Sequence, residues 1–173
     1  VPEGSTVLEA IRKAGMSVPT LCYDSDLSSH GGCRLCIVKI EGMRGLPTSC
    51  TTPAVDGMRV LTETEEIQRV RRGILELAIA DHPAECLVCN KNQECELLKL
   101  ARSVGVEKAS VDRLRRGRRS LPVDTSNPAF DLDPNKCILC GKCVRVCHEI
   151  VGLGAIDFLF RGYDTRVGTF GLR

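Results

Sequence analysis

The chain has 173 residues, a formal net charge of +2 and 27% charged residues, which is an ordinary protein surface and no indication of nucleic-acid binding. Aromatic residues are scarce, with no Trp, four Phe and two Tyr, so a large core anchored by aromatic side chains is not expected. Eleven cysteines are an odd number, so complete disulfide pairing fails to account for them.

The first segment, residues 1–61, is predicted to combine one helix with short strands. Thr6-x-x-Glu9 is a capping box that predicts a helix ending at Gly15. A loop rich in Ser, Asp and Gly follows. Alternating apolar residues and turn glycines then predict strands at 36–41, 46–51 and 58–61. The segment is therefore predicted to be a small β-rich unit packed on one helix.

The second segment, residues 62–110, is predicted to be helical. Thr62-x-x-Glu65 indicates the start of a helix that runs at helical spacing to about Ala80 and ends at Asp81. A loop with three cysteines follows, and a further helix is predicted at 94–104. No stretch approaches the roughly 18 apolar residues that a membrane span needs, so none is expected.

From Val106 to Ser126 no regular structure is predicted, and residues 111–127 are interpreted as an Arg-rich linker. Five arginines lie close together there: Arg113, Arg115, Arg116, Arg118 and Arg119. No aromatic residue is interleaved with them for base stacking, so a solvated linker or docking surface is favoured over a nucleic-acid patch. Residues 128–173 are predicted to form a compact segment around the last four cysteines.

By spacing alone, eleven cysteines and one histidine form three sets of four potential metal ligands. The first set is Cys22, Cys33, Cys36 and Cys50. The second set is His82, Cys86, Cys89 and Cys95. The third set is Cys137, Cys140, Cys143 and Cys147. Thiols so close in sequence favour shared metal centres over disulfides, and such thiols point to the reducing cytoplasm.

The third set has the spacing C-x2-C-x2-C-x3-C of bacterial ferredoxins, in which three cysteines bind one [4Fe–4S] cluster and the fourth binds another. Zinc sites usually place two close pairs far apart, so zinc is disfavoured there. His148 follows Cys147 where that run usually has Pro. Either all four bind one cluster, or further ligands come from a repeat beyond Arg173 or from a partner chain. The repeat beyond Arg173 is favoured.

The first two sets are less specific in their spacing. The loop spacing of the first set suits a [2Fe–2S] cluster, and Gly31 and Gly32 permit a tight turn before Cys33, although zinc remains an alternative. A histidine at a helix end ordinarily caps the last carbonyls. Because three cysteines of the second set lack a fourth partner, His82 is nevertheless predicted to be a ligand. His30 and His148 are predicted to be ordinary loop residues.

Five motifs together resemble one modular family: Pro19-Thr-Leu-Cys22, Gly32-Cys-Arg-Leu-Cys36, Thr48-Ser-Cys50, His82-Pro-Ala-Glu-Cys-Leu-Val-Cys89 and Asn135-Lys-Cys-Ile-Leu-Cys140. The family comprises the N-terminal region of the large iron–sulfur subunit of respiratory complex I, the [FeFe]-hydrogenases and cytoplasmic NAD(P)-linked formate dehydrogenase α subunits. The resemblance implies a [2Fe–2S] cluster on the first set and a His-ligated [4Fe–4S] cluster on the second.

The fold that this resemblance implies is α+β with three parts. They are a plant-type ferredoxin-like β-grasp domain at 1–61, a small helical His/Cys3 cluster domain at 62–110, and the first part of a bacterial-type two-[4Fe–4S] ferredoxin domain at 128–173. Family members usually begin with a β-hairpin, so the first strand of the β-grasp domain is expected to be missing here.

Gly154-Ala-Ile-Asp-Phe and the stretch from Arg161 to Phe170 look similar to formate dehydrogenase α subunits. That branch is favoured over NAD(P)-linked [FeFe]-hydrogenases and diaphorase or complex I-like subunits. The resemblance implies a relay of single electrons between a molybdenum, tungsten or H-cluster site and flavin/NAD(P)-binding diaphorase-type subunits. No catalytic residue is expected in this stretch. The rival hypothesis is a zinc-stabilised nucleic-acid- or protein-binding module.

Overall fold

The computed structural model describes residues 1–115 and 120–169, which contain short helices and two separate two-stranded sheets. The helices of this part are α1 (Val7–Lys13), α2 (Glu65–Ala80), α3 (Glu96–Ser103), α4 (Lys108–Leu114) and α5 (Lys142–Arg145). The strands are β1 (Lys39–Ile40), β2 (Val60–Leu61), β3 (Ile156–Leu159) and β4 (Arg166–Thr169), and each sheet is antiparallel. The mixture of small helices and strands agrees with the predicted α+β class.

Helix α1 begins at the predicted capping box. The Thr6 hydroxyl accepts a hydrogen bond from the Glu9 N–H at 3.3 Å, and the Glu9 carboxylate accepts one from the Thr6 N–H at 2.6 Å. Val7, Leu8 and Ile11 form the buried face of the helix. These side chains share one apolar cluster with Val18, Cys36, Val38, Ile40 and Cys50. Helix α1 therefore packs directly on the cysteine loops of the first segment.

The first segment contains less β-structure than the sequence predicts. Strands β1 and β2 pair over two residues each. The strand predicted at 46–51 is wrong, because Thr48 forms only a single bridge with Ile37. The chain then turns, with the Thr51 N–H donating to the Thr48 carbonyl at 3.2 Å. This turn directs Cys50 toward Cys36 instead of extending a strand.

The N-cap of helix α2 lies two residues later than predicted. The Thr64 hydroxyl, and not that of Thr62, caps the helix by accepting a hydrogen bond from the Ile67 N–H at 3.2 Å. The helix ends at Ala80, as predicted, and Asp81 is its C-cap residue. Its buried positions recur every four residues and are Ile67, Arg71 and Leu75. A charged residue thus lies in the middle of the apolar face.

Arg71 fixes α2 to the loop that carries the first cysteines. The side chain is 2% exposed, and its Nε donates to the Leu35 carbonyl at 3.0 Å while Nη2 donates to the Ile37 carbonyl at 2.9 Å. Nη1 lies 3.5 Å from the carboxylate of Glu63. Burial lowers the pKa of Arg71 from its usual value. Two carbonyls on either side of Cys36 are thereby satisfied from a neighbouring helix.

The helix predicted at 94–104 is present but shorter, since α3 begins after Cys95 and ends at Ser103. Irregular structure is predicted from Val106 to Ser126, and this prediction is wrong for the residues of α4. That helix has seven residues, of which only Val111 is buried, so its periodic signal is weak. Contact with α2 stabilises it instead. Of the predicted arginine run, Arg116, Arg118 and Arg119 lie outside the described residues, as does Phe170 further along the chain.

The last segment packs α5 against the β3–β4 hairpin. Gly141 caps α5 with a φ of +70°, and a Cβ at this position would lie 2.9 Å from Cζ of Phe158 on β3. The close approach of hairpin and helix therefore requires glycine. Among the helices in residues 1–115 and 120–169, none has the length and apolar composition needed to cross a bilayer.

Candidate metal centres

The structure brings the four cysteines of the first set together as two pairs. Cys22 and Cys33 form a side-chain hydrogen bond, and the Cys33 N–H donates to the sulfur of Cys22 at 3.3 Å. The sulfurs of Cys36 and Cys50 are 3.3 Å apart. The pairs also interact with each other, since the charge of Cys33 acts on Cys36 and that of Cys22 acts on Cys50. The four cysteines, spread over residues 22–50, thus form one thiol cluster.

Glycines shape the loop around these thiols, as the sequence predicts. Gly31 has a φ of +66°, and a Cβ there would lie 3.1 Å from Cγ2 of Thr51. A Cβ on Gly32 would lie 2.5 Å from the ring of His30, a loop residue as predicted. The tight turn lets backbone N–H groups reach sulfur, and such hydrogen bonds favour the thiolate form.

The two thiols of each pair differ in acidity. The hydrogen bond from Cys22 lowers the pKa of Cys33 to about 5, and that from Cys50 lowers the pKa of Cys36 to about 6. The same hydrogen bonds, together with burial, raise the pKa of Cys22 and that of Cys50 well above the usual thiol value. The hydrogen bonds within each pair thus favour the thiolate form at Cys33 and at Cys36, and a metal ligand has to be a thiolate.

Paired thiols fit a centre with two metal atoms. A structural zinc site needs four donors around one ion. Two pairs of thiols instead suit two iron atoms, each with two thiolate ligands. The donor chemistry, the pairing and the N–H groups directed at sulfur all fit a [2Fe–2S] cluster.

All four residues of the second set line one cavity of about 360 Å³. His82 follows the end of α2, Cys86 begins a single 3₁₀ turn, and Cys95 is the residue before α3. Cys89 ends the same turn. Three thiols and one imidazole that open on a cavity of this size fit a cubane-type [4Fe–4S] cluster.

Both ring nitrogens of His82 point toward backbone carbonyls. Nδ1 lies 3.1 Å from the Pro83 carbonyl, and Nε2 lies 3.3 Å from the Lys136 carbonyl. A neutral imidazole has one N–H, so only one of these contacts is a hydrogen bond. If Nδ1–H donates to Pro83, Nε2 keeps a lone pair for a metal. The same ring also lines a second cavity of about 580 Å³ that contains Cys137.

The third set divides into three cysteines and one. Desolvation of the sulfur raises the pKa of Cys137, although the residue as a whole is exposed, and the charges of Cys140 and Cys143 raise it further against the lowering effect of the Leu139 N–H, so the three thiols are close enough to interact. Leu139, with a φ of +53°, donates its N–H to the sulfur of Cys137 at 3.4 Å. Cys147 lies on the π-helical turn Val146–Ile150, and its sulfur accepts a hydrogen bond from the Ala155 N–H at 3.2 Å. The surroundings of Cys147 therefore differ from those of the other three cysteines of the set.

Three residues near these sites differ from the sequence-based expectations. His148, expected in a loop, lies on the π-helical turn with Nε2 3.7 Å from the carboxylate of Asp157. Arg71 and Arg145 were missed altogether. Arg145 lies in the third motif, is 8% exposed and donates hydrogen bonds to the carbonyls of Cys22 and Ser28.

Comparison with known families finds three matches along the chain. Residues 1–65 match a 2Fe-2S iron–sulfur cluster binding domain. Residues 71–110 match the NADH-ubiquinone oxidoreductase-G iron–sulfur binding region, and residues 130–153 match a 4Fe-4S binding domain. The predicted cofactors, a [2Fe–2S] cluster and [4Fe–4S] clusters, are thereby confirmed as classes.

Curated relatives are much longer than this chain. The α subunit of an NADPH-Fe(3+) oxidoreductase from Geobacter sulfurreducens is 40% identical over 169 residues, which cover 98% of this chain and 20% of that protein. A subunit of an NADH-quinone oxidoreductase from Rhizobium meliloti is 39% identical over 170 residues, which again cover 98% of this chain and 20% of that protein. The HndD subunit of an NADP-reducing hydrogenase from Solidesulfovibrio fructosivorans is 38% identical over 172 residues, covering 96% of this chain and 29% of that protein.

A solved structure matches over nearly the whole chain. A chain in the crystal structure of an NAD+-reducing [NiFe]-hydrogenase superposes with a TM-score of 0.87 at 36% identity, covering 98% of this chain and 70% of that one. Together with the thiol clusters, these matches define an iron–sulfur electron-transfer module. The chain belongs to the same family as the matched chain of the NAD+-reducing [NiFe]-hydrogenase.

Proposed function

We propose that this chain is the electron-relay part of a larger NAD(P)-linked oxidoreductase and that its three ligand sets hold the iron–sulfur clusters. The observation that carries the proposal is the meeting of Cys22 with Cys33 and of Cys36 with Cys50 in one thiol cluster. Bound clusters supply one-electron chemistry at potentials that ligands, hydrogen bonds and nearby charge adjust. The residues of this chain bind and tune, and the reactions of substrates belong to other cofactors.

In the proposed first site, each thiol pair binds one iron of a [2Fe–2S] cluster. In the second site, Cys86, Cys89 and Cys95 bind a [4Fe–4S] cluster with Nε2 of His82 as the fourth ligand. The 360 Å³ cavity that all four residues line supports this assignment. The hydrogen bond from Nδ1–H to the Pro83 carbonyl would fix the tautomer, as the outer partners of metal-bound histidines usually do.

In the proposed third site, Cys137, Cys140 and Cys143 bind one [4Fe–4S] cluster and Cys147 binds another. The remaining ligands would come from other parts of the protein or from a partner chain. The different surroundings of Cys147 support this division. In this proposal residues 128–173 belong to a bacterial-type ferredoxin domain, residues 62–110 form the His/Cys3 domain, and residues 1–61 form a plant-type β-grasp domain.

We further propose that electrons pass between the first and second sites through the third. Two contacts support this order. Arg145 of the third motif donates to the Cys22 carbonyl of the first set. The ring of His82 lies 3.3 Å from the carbonyl of Lys136, the residue before Cys137. Each of the outer sites therefore has a ligand-bearing segment in contact with the third motif.

The proposed partners are flavin/NAD(P)-binding subunits on one side and a catalytic metal site on the other. The relatives include NAD(P)-linked hydrogenases and quinone oxidoreductases, which supports such a setting. The segments at 154–158 and 161–170 keep formate dehydrogenase as our preferred branch, with hydrogenase and diaphorase branches as alternatives. The free thiols are consistent with a reducing cytoplasmic setting.

Metal analysis and EPR test the proposed function directly. Protein purified without oxygen is expected to be brown, to contain iron and acid-labile sulfide, and to give a [2Fe–2S] signal together with cubane signals when reduced. Zinc without iron would instead support the rival, a zinc-stabilised binding module, which is colourless. Salt-dependent binding to DNA or RNA would be a second indication of that rival.

Replacing His82 with alanine is expected to alter or remove one cubane EPR signal, because a cluster ligand is lost from the second site. The [2Fe–2S] signal should keep its intensity, since His82 belongs to a different site. His148→Ala is the matched control, because this histidine is paired with Asp157 and is not a proposed ligand. An unchanged cubane spectrum in His82→Ala would mean that His82 is not a cluster ligand and only caps the end of α2.

A further inference from the structure

Two charged side chains of the third segment hold the loop that follows Cys22. Nζ of Lys142 lies 3.4 Å from the carboxylate of Asp24. The carboxylate of Glu149 accepts hydrogen bonds from the N–H and the hydroxyl of Ser28, both at 2.7 Å. The contacts with Ser28 lower the pKa of Glu149, which keeps it ionised. These contacts thereby hold the helical part of the third site against the ligand loop of the first site.

Arg145 lies between these two contacts and is buried. One terminal nitrogen donates to the Cys22 carbonyl and the other to the Ser28 carbonyl. Nε is also buried and has no hydrogen-bond partner among the described residues. A buried cation held mainly by neutral carbonyls is costly unless negative charge lies nearby. The half-buried carboxylate of Asp24 and the exposed carboxylate of Glu149 interact with it only weakly, since hydrogen bonds from the Asp26 N–H and from Ser28 are the main causes of their lowered pKa values and the charge of Arg145 is a minor one.

Negative charge at the first site would stabilise the buried positive charge of Arg145. Four thiolates outweigh the positive charge of a [2Fe–2S] core, so the bound centre is anionic. It gains one more negative charge when it accepts an electron. A fixed positive charge beside Cys22 stabilises the reduced form more than the oxidised form. Removing that charge should therefore make reduction harder.

We propose that Arg145 is a positioning residue of the first site that raises the reduction potential of its cluster. It does so by holding a buried positive charge against the backbone of Cys22, although it belongs to the motif of the third site. The inference rests on the proposed function, in which Cys22 is a cluster ligand. It goes beyond that function because it assigns control of one site to a residue of another.

The test is an anaerobic redox titration of the full chain, followed by the EPR signal of the [2Fe–2S] cluster. Arg145→Gln is expected to lower the equilibrium constant for reduction about tenfold, which for one electron is about 59 mV. Arg145→Lys keeps the charge and should stay within about threefold of wild type. Arg59→Gln is the charge-matched control, since its side chain is 79% exposed, and should also stay within about threefold.

Three results would overturn the inference. The reduction potential of the Gln variant could equal that of wild type. The potentials of the Gln and Lys variants could also fall by the same amount, which would mean that the shape of the side chain matters and its charge does not. A wild-type protein without a [2Fe–2S] signal would overturn the proposed function and this inference with it. A normal wild-type signal with an unmoved Gln variant would overturn the inference alone.

A further variant decides the question if Arg145→Gln fails to retain its cluster. Arg145→His carries a positive charge at acidic pH and becomes neutral as the pH rises. The potential of this variant is expected to fall more steeply than that of wild type between pH 6 and pH 9, on the order of tenfold in the equilibrium constant. A slope equal to that of wild type would overturn the inference.

Discussion

Replacing Arg71 with methionine is expected to lower the free energy of unfolding by about 3 kcal/mol. The guanidinium donates to the carbonyls of Leu35 and Ile37, and methionine leaves both without this partner. Each buried carbonyl that loses its hydrogen bond costs roughly 1–3 kcal/mol. The removal of a buried charge offsets part of that loss, since burial already disfavours the charged form of Arg71. Denaturant unfolding followed by far-UV circular dichroism measures the difference.

Arg69→Met on the same helix is the matched control. Arg69 is exposed, so its replacement should change the free energy of unfolding by no more than about 0.5 kcal/mol. The two variants have the same change in composition and net charge and differ in burial. Equal stability of Arg71→Met and Arg69→Met would contradict the assigned role of Arg71. It would mean that the Leu35 and Ile37 carbonyls find other partners.

Local signals in the sequence were enough to predict some elements but not others. The capping box of Thr6 and Glu9 is complete within four residues, so α1 could be predicted from sequence alone. The sequence predicts the wrong cap for α2 because Thr62 and Thr64 both precede the helix and both are residues that can cap it. The structure selects Thr64 through its contact with the Ile67 N–H. Helix α4 depends on its contact with α2, which no local pattern reveals.

The buried arginines show the limit of sequence reasoning at the candidate sites. Arg71 could have been found, because it lies four residues from both Ile67 and Leu75 on the buried face of α2. Arg145 carries no such signal, since its partners Cys22 and Ser28 are more than a hundred residues away in sequence. The ligand spacing predicts which residues form each set. It gave no information on how one set contacts another.

The two arginines connect the first site to the second and third segments. Arg71 comes from the helix of the second segment and binds carbonyls on both sides of Cys36, in one thiol pair. Arg145 comes from the third segment and binds the carbonyl of Cys22, in the other pair. Leu35, next to Cys36, also packs into the apolar cluster that contains Leu75. The first cysteine loop is therefore stabilised by all three segments.

Replacing Cys50 with alanine is expected to abolish the [2Fe–2S] EPR signal and to remove about two iron atoms per chain. Cys50 lies 3.3 Å from Cys36, so its loss leaves one proposed iron with a single thiolate. The cubane signals should remain, because the second and third ligand sets keep all their members. Iron and sulfide analysis together with EPR of the reduced protein measures the result.

Ser49→Ala is the matched control for this prediction. Ser49 precedes Cys50, is fully buried, and its hydroxyl donates to the Cys36 carbonyl at 2.7 Å. The backbone N–H of Ser49 donates to the same carbonyl at 3.0 Å and survives the substitution. Ser49→Ala should therefore lose only about 1 kcal/mol of stability and keep its cluster. A full [2Fe–2S] signal in Cys50→Ala would show that the paired thiols are not the ligands, and the first site would have to be assigned again.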